Sequence, residues 1–213
     1  MLNIAVMVSG GGTNLQALLD AEKAGGLGGG RIVCVIASKE NVGALRRAEA
    51  FSVPGEVCRR TAFSCEEEYE NALFAILDKY NIDLIVLAGF LSILSKRVTE
   101  RYANRIINIH PALIPSFCGK GYYGLKVHEA ALAAGVKVTG ATVHFVNEIP
   151  DGGAIIAQKA VYIEPDDTPE TLQRRVMEQA EWILLPQVVR QFCQGQIRIV
   201  DNKTYITEEK QDV

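Results

Sequence analysis

The sequence has 213 residues and a formal net charge of −3, so it suits one domain that can bury a core without disulfides or a structural metal. That charge argues against a general affinity for nucleic acid or for an anionic membrane surface, and no stretch approaches the roughly 20 apolar residues of a membrane span. The five cysteines are scattered without a CxxC pair and the three histidines lack ligand spacing, so we expect a cytoplasmic protein with no metal.

Strands and helices alternate through the first half of the chain. Near-continuous apolar runs, typical of strands covered on both faces, lie at 2–8, 31–38, 82–90 and 105–109, with a short strand at 54–58. Helices are predicted after the first strand, at 41–51, at 65–80, and from a Ser95 cap through Tyr102. This alternation predicts a mostly parallel sheet with helices on both faces.

The pattern changes after residue 136. Two long β-rich segments, 136–146 and 153–163, read as antiparallel strands around a loop. A helix is expected to start at 167–170 and to kink at Pro186, and 197–207 reads as a small hairpin before a frayed polar end, TEEKQDV. We therefore predict a single α/β domain, a doubly wound, mostly parallel, Rossmann-like sheet with antiparallel strands near the C-terminus.

Three segments follow predicted strands at their carboxyl ends, where ligands bind in such sheets: SGGGTN, AGFLS and NIHPALIPSF. Glycines in SGGGTN (9–14) can present backbone N–H groups to an anion at the start of a helix, which suits a phosphate. The spacing matches neither the dinucleotide fingerprint nor a Walker loop. A plain tight turn remains an equal alternative at this point.

Asn108 and His110 share one face of a strand that Pro111 ends. An amide donor beside a titratable imidazole suits stabilisation of a developing oxyanion, although a structural strand-end histidine is also possible. Asp151 lies in a PDGG turn signal, where most aspartates bond only their own backbone. We expect His144 to be structural or a partner of a site residue, and His128 to lie on a helix surface or at its start.

Five segments occur in an order that resembles one enzyme family. They read SGGGTNLQ, VLAGFLSILS, NIHPALIPSF and GATVHFVNEIPDGGAIIAQ, followed by the terminal helix. In this order they resemble the phosphoribosylglycinamide formyltransferases, which belong to the folate-dependent formyltransferase superfamily. The likeness extends over nearly the whole chain. It implies one formyltransferase domain over 1–213, with a phosphate-binding half at about 1–105 and a catalytic and folate-binding half at about 106–207.

The resemblance implies transfer of the formyl group of 10-formyltetrahydrofolate to the amine of glycinamide ribonucleotide, in purine biosynthesis. It implies three catalytic residues, Asn108, His110 and Asp151. The substrate phosphate would lie on Gly12, Thr13 and Asn14, and Glu181 would hold the substrate amine. The family's pterin pocket corresponds to Leu91, Ser92, Ile93 and Leu94 on one side and to Asn147, Glu148, Ile149 and Pro150 on the other.

These roles are chemically consistent. Attack of an amine on a formyl carbon creates an oxyanion and a surplus proton. The Asn108 amide and a protonated His110 can stabilise the oxygen, and the Asp151 carboxylate can hold the imidazolium. The reaction requires neither a side-chain nucleophile nor a metal.

Two departures from the family pattern stand out. An arginine that contacts the folate in some members is replaced by an acidic stretch that includes Glu66. The segment RVMEQAEW is one residue longer than in better-known members. Glu178 therefore stays an alternative to Glu181 as the residue that holds the substrate amine. The loop at 116–126 is also long, and we expect it to cover the site, with Gly119, Gly121 and Gly124 as hinges.

Two other functions remain as alternatives. A 10-formyltetrahydrofolate hydrolase would carry a further domain before residue 1, and a tRNA-directed formyltransferase would carry a basic domain after about residue 200. Both are therefore less favoured. A non-catalytic nucleotide-binding module would use the glycine turn alone and would tolerate replacement of Asn108 and His110.

Overall fold

The computed structural model describes residues 1–207, so most of the polar end expected to fray lies outside the described residues, at 208–213. The strands are β1 Leu2–Val8, β2 Gly30–Ala37, β3 Gly55–Val57, β4 Leu84–Leu87, β5 Ile106–His110, β6 Val138–Phe145, β7 Ile155–Tyr162, β8 Ile197–Val200 and β9 Lys203–Ile206. The α-helices are α1 Thr13–Lys23, α2 Gly43–Ala50, α3 Glu66–Lys79, α4 Lys96–Arg101, α5 Leu125–Ala133, α6 Pro169–Val176 and α7 Trp182–Cys193.

The first seven strands form one sheet in the order β3-β2-β1-β4-β5-β6-β7. The pairs from β3 to β5 are parallel, whereas β5–β6 and β6–β7 are antiparallel. Strand order reverses between β1 and β4, which makes their carboxyl ends the switch point where ligands bind in open α/β sheets. The predicted doubly wound sheet with antiparallel C-terminal strands is confirmed, and β8–β9 form the predicted hairpin.

Buried apolar side chains pack on both faces of the sheet. One cluster joins β1 and β2 to α1, α2, α6 and α7 through residues such as Leu15, Leu19 and Val188. The other joins the opposite face to α3 and α4 through residues such as Leu73 and Leu77. Because both faces are covered, the central strands read as continuous apolar runs, which is why they could be predicted. No helix within residues 1–207 has the length and apolar character to cross a membrane.

The strand predicted at 82–90 is shorter than expected, because only Leu84–Leu87 pair in the sheet. The apolar residues that follow enter the loop at 88–94 and line the site instead of continuing the strand. Hydrophobicity alone does not separate these two uses, since a cavity for a flat apolar ligand needs the same side chains as a buried strand.

The C-terminal helical segment begins with a capping box, in which Thr168 and Thr171 each bond the other's backbone N–H. It is α-helical to Val176, widens into a π turn at Met177–Glu181, and continues as α7. Pro186 lies inside α7, and the kink predicted there stays a prediction. The π turn lies within the segment RVMEQAEW, where the extra residue is expected.

Candidate active site

Two of the three predicted loops lie side by side at the switch point. The Ser9 N–H donates to the carbonyl oxygen of Gly89 at 3.0 Å, and the Ser9 hydroxyl accepts from the Leu91 N–H at 3.0 Å. The glycine turn after β1 is therefore fastened to the loop after β4. The third loop follows β5, which pairs with β4, so all three predicted segments meet at the carboxyl ends of the central strands.

Gly12 fixes the shape of the glycine turn. Its φ is 75°, and a Cβ there would lie 2.7 Å from the Cβ of Ala44, so only glycine fits. Gly12 is also the N-cap of α1 and has no side chain to cap it. The first N–H groups of α1 therefore face outward at the positive end of the helix, an arrangement that can hold a phosphate.

The Asn108 amide is held by a histidine on the neighbouring strand. Asn108 pairs with His144 across β5 and β6, and its Nδ2 lies 3.0 Å from His144 Nε2. His144 Nδ1 lies 2.7 Å from the carbonyl oxygen of Phe145, which can only accept, so Nδ1 carries the proton. With that proton on Nδ1, Nε2 can accept one Asn108 N–H and fix the amide's orientation.

His110 is almost fully buried at the end of β5, between two oxygen acceptors. Its Nε2 lies 2.8 Å from the carbonyl oxygen of Phe117, and its Nδ1 lies 3.7 Å from Oδ2 of Asp151. Burial lowers the pKa of His110, against the opposing effects of the Asp151 charge and the Phe117 carbonyl. The ring is thus neutral in the free protein, whereas an imidazolium would find an acceptor at each nitrogen.

Asp151 reaches this pair from the loop between β6 and β7. Its Oδ2 accepts from the Gly119 N–H at 2.7 Å, and its Oδ1 lies 3.5 Å from His144 Nε2. Burial alone would raise the pKa of Asp151, but His144, His110 and the Gly119 N–H together hold it below its usual value. Asp151 is therefore a carboxylate, and it stands in the left-handed region with φ 55°.

Glu181 lies beneath the glycine turn. It is 5% exposed, and its Oε2 accepts from Asn14 Nδ2 at 2.6 Å. Burial raises the pKa of Glu181 to about 7, with the Asn14 hydrogen bond opposing. Glu178 instead lies at the surface, where its Oε1 accepts from Arg174 Nε at 2.9 Å. Of these two glutamates, Glu181 is the one buried next to the glycine turn.

A cavity of about 330 Å³ opens beside Asn108, His110 and Asp151. Of the predicted folate-binding residues, it is lined by Leu91, Ser92, Ile93, Leu94, Asn147, Ile149 and Pro150. Glu148 lies outside this lining, with its carboxylate 4.0 Å from Lys96 Nζ. The glycine turn and Glu181 also lie outside the lining.

The loop at 116–126 forms one wall of that cavity. Gly119, Gly121 and Gly124 have φ of 86°, 98° and 55°, and a Cβ at each would meet open space, so backbone conformation explains these glycines. Lys120, Tyr122 and Tyr123 line the cavity but were not predicted as binding residues. The covering role of the loop remains a prediction.

His144 and His128 differ from His110 in their surroundings. His144 partners a site residue, as expected for a side chain opposite Asn108, but its link to Asp151 needed the folded loop. His128 lies in the first turn of α5 and is 0% exposed, so the predicted place at a helix start is confirmed and the alternative on a helix surface is wrong. Neither of its ring nitrogens has a partner within the described residues, and burial lowers its pKa to about 4. The sequence offered no signal for this, because α5 has a weak apolar pattern.

One family of known enzymes matches most of the chain. The sequence profile of the formyl transferase family matches residues 2–189. The phosphoribosylglycinamide formyltransferase of Haemophilus influenzae is 42% identical over 206 residues, covering 97% of this chain and 94% of that protein. The chain belongs to the formyl transferase family, in its phosphoribosylglycinamide formyltransferase branch.

Solved structures of formyl transferases agree with this placement. Glycinamide ribonucleotide transformylase 1 from Symbiobacterium toebii superposes with a TM-score of 0.91 at 36% identity, covering 98% of this chain and 95% of that one. A formyltetrahydrofolate deformylase from Pseudomonas syringae superposes with a TM-score of 0.87 at 27% identity, and the match spans 97% of this chain but 66% of that one. The formyltransferase branch is therefore more similar than the deformylase in sequence and in the length matched.

No group of three His, Cys, Asp or Glu side chains within residues 1–207 is placed to hold a metal ion. The cluster of Asn108, His110, His144 and Asp151 consists of an amide, two imidazoles and one carboxylate. It can donate hydrogen bonds to an oxyanion and move a proton, which is the chemistry of acyl transfer to an amine.

Proposed function

We propose that this formyltransferase transfers the formyl group of 10-formyltetrahydrofolate to the amine of glycinamide ribonucleotide, a step in de novo purine biosynthesis. The observation that carries the proposal is the convergence of Asn108, His110 and Asp151 beside a cavity. This convergence occurs in a chain that matches a phosphoribosylglycinamide formyltransferase over nearly its whole length.

The catalytic steps follow from the contacts. The amine attacks the formyl carbon, and the developing oxyanion takes a hydrogen bond from the second N–H of Asn108, since His144 fixes the first. Neutral His110 accepts the surplus proton from the amine. Asp151, held as a carboxylate, stabilises the resulting imidazolium, and the proton then passes to the departing folate nitrogen.

The substrate's two ends have separate sites in this proposal. Its phosphate lies on the N–H groups of Gly12, Thr13 and Asn14, which the helix dipole makes attractive to an anion. Its amine lies toward Glu181 and the Asn108 amide. These roles divide the chain into a phosphate-binding half at about 1–105 and a catalytic half at about 106–207. The folate cavity is also lined by Leu91–Leu94, which belong to the first half.

The folate would lie in the cavity that Leu91–Leu94 and Asn147–Pro150 line. The lining is mostly apolar, with exposed backbone at the two loops, which fits a flat pterin that needs both stacking area and backbone hydrogen bonds. Leu91 and Ile149 are 58% and 60% exposed, and large exposed apolar side chains at a cavity mouth commonly mark a ligand site. We expect the enzyme to act in the cytoplasm.

A direct assay tests the proposal. Purified protein is mixed with glycinamide ribonucleotide and a 10-formylfolate, and folate absorbance is followed together with formate release. We expect absorbance change that depends on glycinamide ribonucleotide, with little free formate.

The second candidate is 10-formyltetrahydrofolate hydrolysis, which the structural likeness to a deformylase supports. It predicts formate release at the same rate with and without the amine acceptor. Nucleotide binding without either reaction would instead identify a non-catalytic module.

A further inference from the structure

Arg47 on α2 is fastened to the glycine turn. Its Nε donates to the carbonyl oxygen of Gly11 at 2.9 Å, and its Nη1 donates to Gln16 Oε1 on α1 at 2.8 Å. The backbone of α2 makes a parallel contact, since the Ala44 N–H donates to the carbonyl oxygen of Gly10 at 3.2 Å. Two successive carbonyl groups of the turn therefore face α2.

This orientation decides where the N–H groups of the turn point. In a planar trans peptide the C=O and the next N–H point in opposite directions. Because the Gly10 and Gly11 carbonyls face α2, the Gly11 and Gly12 N–H groups face away from it. The Gly12 carbonyl accepts from the Gln16 N–H inside α1, so the Thr13 N–H points outward from the helix start. Three successive donors are thus left for one anion.

Only the Gly11–Gly12 peptide depends on a side chain for this orientation. The Ala44 backbone N–H holds the Gly10 carbonyl, whereas the Arg47 side chain holds the Gly11 carbonyl, and Gly11 also packs closely against Gly43. A cavity of about 390 Å³ opens next to this place, with Thr13, Gln16 and Arg47 on its wall. Arg47 thus borders both the glycine turn and an open space beside the start of α1.

We infer that Arg47 is a positioning residue for the substrate phosphate, which it serves by holding the Gly11–Gly12 peptide with its N–H toward the anion. This inference rests on the proposed function for the identity of the substrate. It does not require Arg47 to touch the phosphate. Arg46, the exposed neighbour on the same helix, carries the same charge without these contacts to the turn and is the matched control.

The test compares wild type with Arg47→Ala, Arg47→Lys and Arg46→Ala. In Arg47→Ala we expect KM for glycinamide ribonucleotide to rise about tenfold, with kcat and KM for the folate unchanged, because one charge-assisted contact is lost. Arg46→Ala should match wild type in all three constants. Arg47→Lys should fall between the two, since a single amine cannot span Gly11 and Gln16.

A second measurement does not depend on turnover. Inorganic phosphate is titrated into each isotope-labelled protein, and its dissociation constant is read from the amide signals of 11–13. Weaker phosphate binding by about tenfold in Arg47→Ala alone supports the inference, even if wild type shows no formyl transfer and the proposed function fails. Equal phosphate binding and equal KM in Arg47→Ala and Arg46→Ala would overturn it, as would full rescue by lysine.

Discussion

His110 Nδ1 lies 3.7 Å from Asp151 Oδ2, while His110 Nε2 lies 2.8 Å from the carbonyl oxygen of Phe117. The gap to Asp151 is too long for a hydrogen bond in the free protein, where burial keeps the ring neutral. A proton gained from the amine would draw the carboxylate and the imidazolium together. The pair is therefore arranged to stabilise a charge that exists only during the reaction.

Replacement of Asp151 by Asn tests this arrangement. The side-chain oxygen can still accept from Gly119, but the charge that favours the imidazolium is gone, so we expect kcat to fall by about 10²–10³-fold. Because the Asp151 charge raises the pKa of His110, the acid limb of the kcat/KM profile should move to lower pH in the variant. Steady-state rates across a range of about pH 5–9 provide the measurement.

The exposed Asp166→Asn is a matched control for that change, since it removes one carboxylate far from the cavity. His110→Ala should show a similar loss of kcat while inorganic phosphate still binds. Normal turnover in one of these two variants would remove the residue it replaces from the mechanism.

Asn108→Ala should lower kcat by about 10²–10³-fold, because it removes a donor aimed at the oxyanion. His144→Phe leaves that donor present but frees its orientation, so we expect a smaller loss. The double variant should be no slower than Asn108→Ala alone, since the two side chains act as one unit. If the double variant instead loses kcat by the product of the two single-variant losses, His144 acts independently of Asn108.

Glu181→Gln should stabilise the fold while weakening substrate binding. The folded-state pKa of Glu181 is raised to about 7 from 4.5, so the folded protein holds a proton that the unfolded chain releases. The stability of wild type therefore falls as pH rises through that window, and the glutamine variant avoids the loss.

We expect denaturant unfolding at about pH 8 to show Glu181→Gln more stable by about 2–3 kcal/mol, with the difference vanishing near about pH 4.5. Its KM for glycinamide ribonucleotide should rise in parallel, since the carboxylate is absent. If the unfolding free energies of Glu181→Gln and wild type differ by the same amount at every pH, the pKa of Glu181 is the same in the folded and unfolded states.

His128→Leu should protect the protein from acid. The folded-state pKa of His128 is lowered to about 4, so below about pH 6.5 the unfolded chain takes up a proton that the folded protein excludes. Wild type therefore loses stability as pH falls from 6.5 to about 4, and leucine at this buried position removes that contribution. Unfolding at about pH 7 and about pH 4.5 should give a variant advantage that grows by about 2–3 kcal/mol. Equal pH dependence in the two proteins would refute this assignment.

The sheet could be predicted because its central strands are covered on both faces and read as unbroken apolar runs. The family was evident from ordered motifs, and Asn108 beside His110 followed from alternation along β5. What could not be predicted depends on contacts between distant segments. His144 and Asp151 meet only because β6 pairs with β5 and the next loop folds back, and the Arg47 contact requires α2 to approach the glycine turn.

The π turn at Met177–Glu181 joins two α-helical stretches that bury the same face. Each residue added to a regular α-helix rotates everything beyond it by about 100°. Leu172 and Val176 before the turn and Leu185 and Val188 after it nevertheless all face the core, fully buried. The π turn thus changes the winding of the helical segment while the apolar side chains on either side of it and the Glu181 carboxylate all remain turned inward.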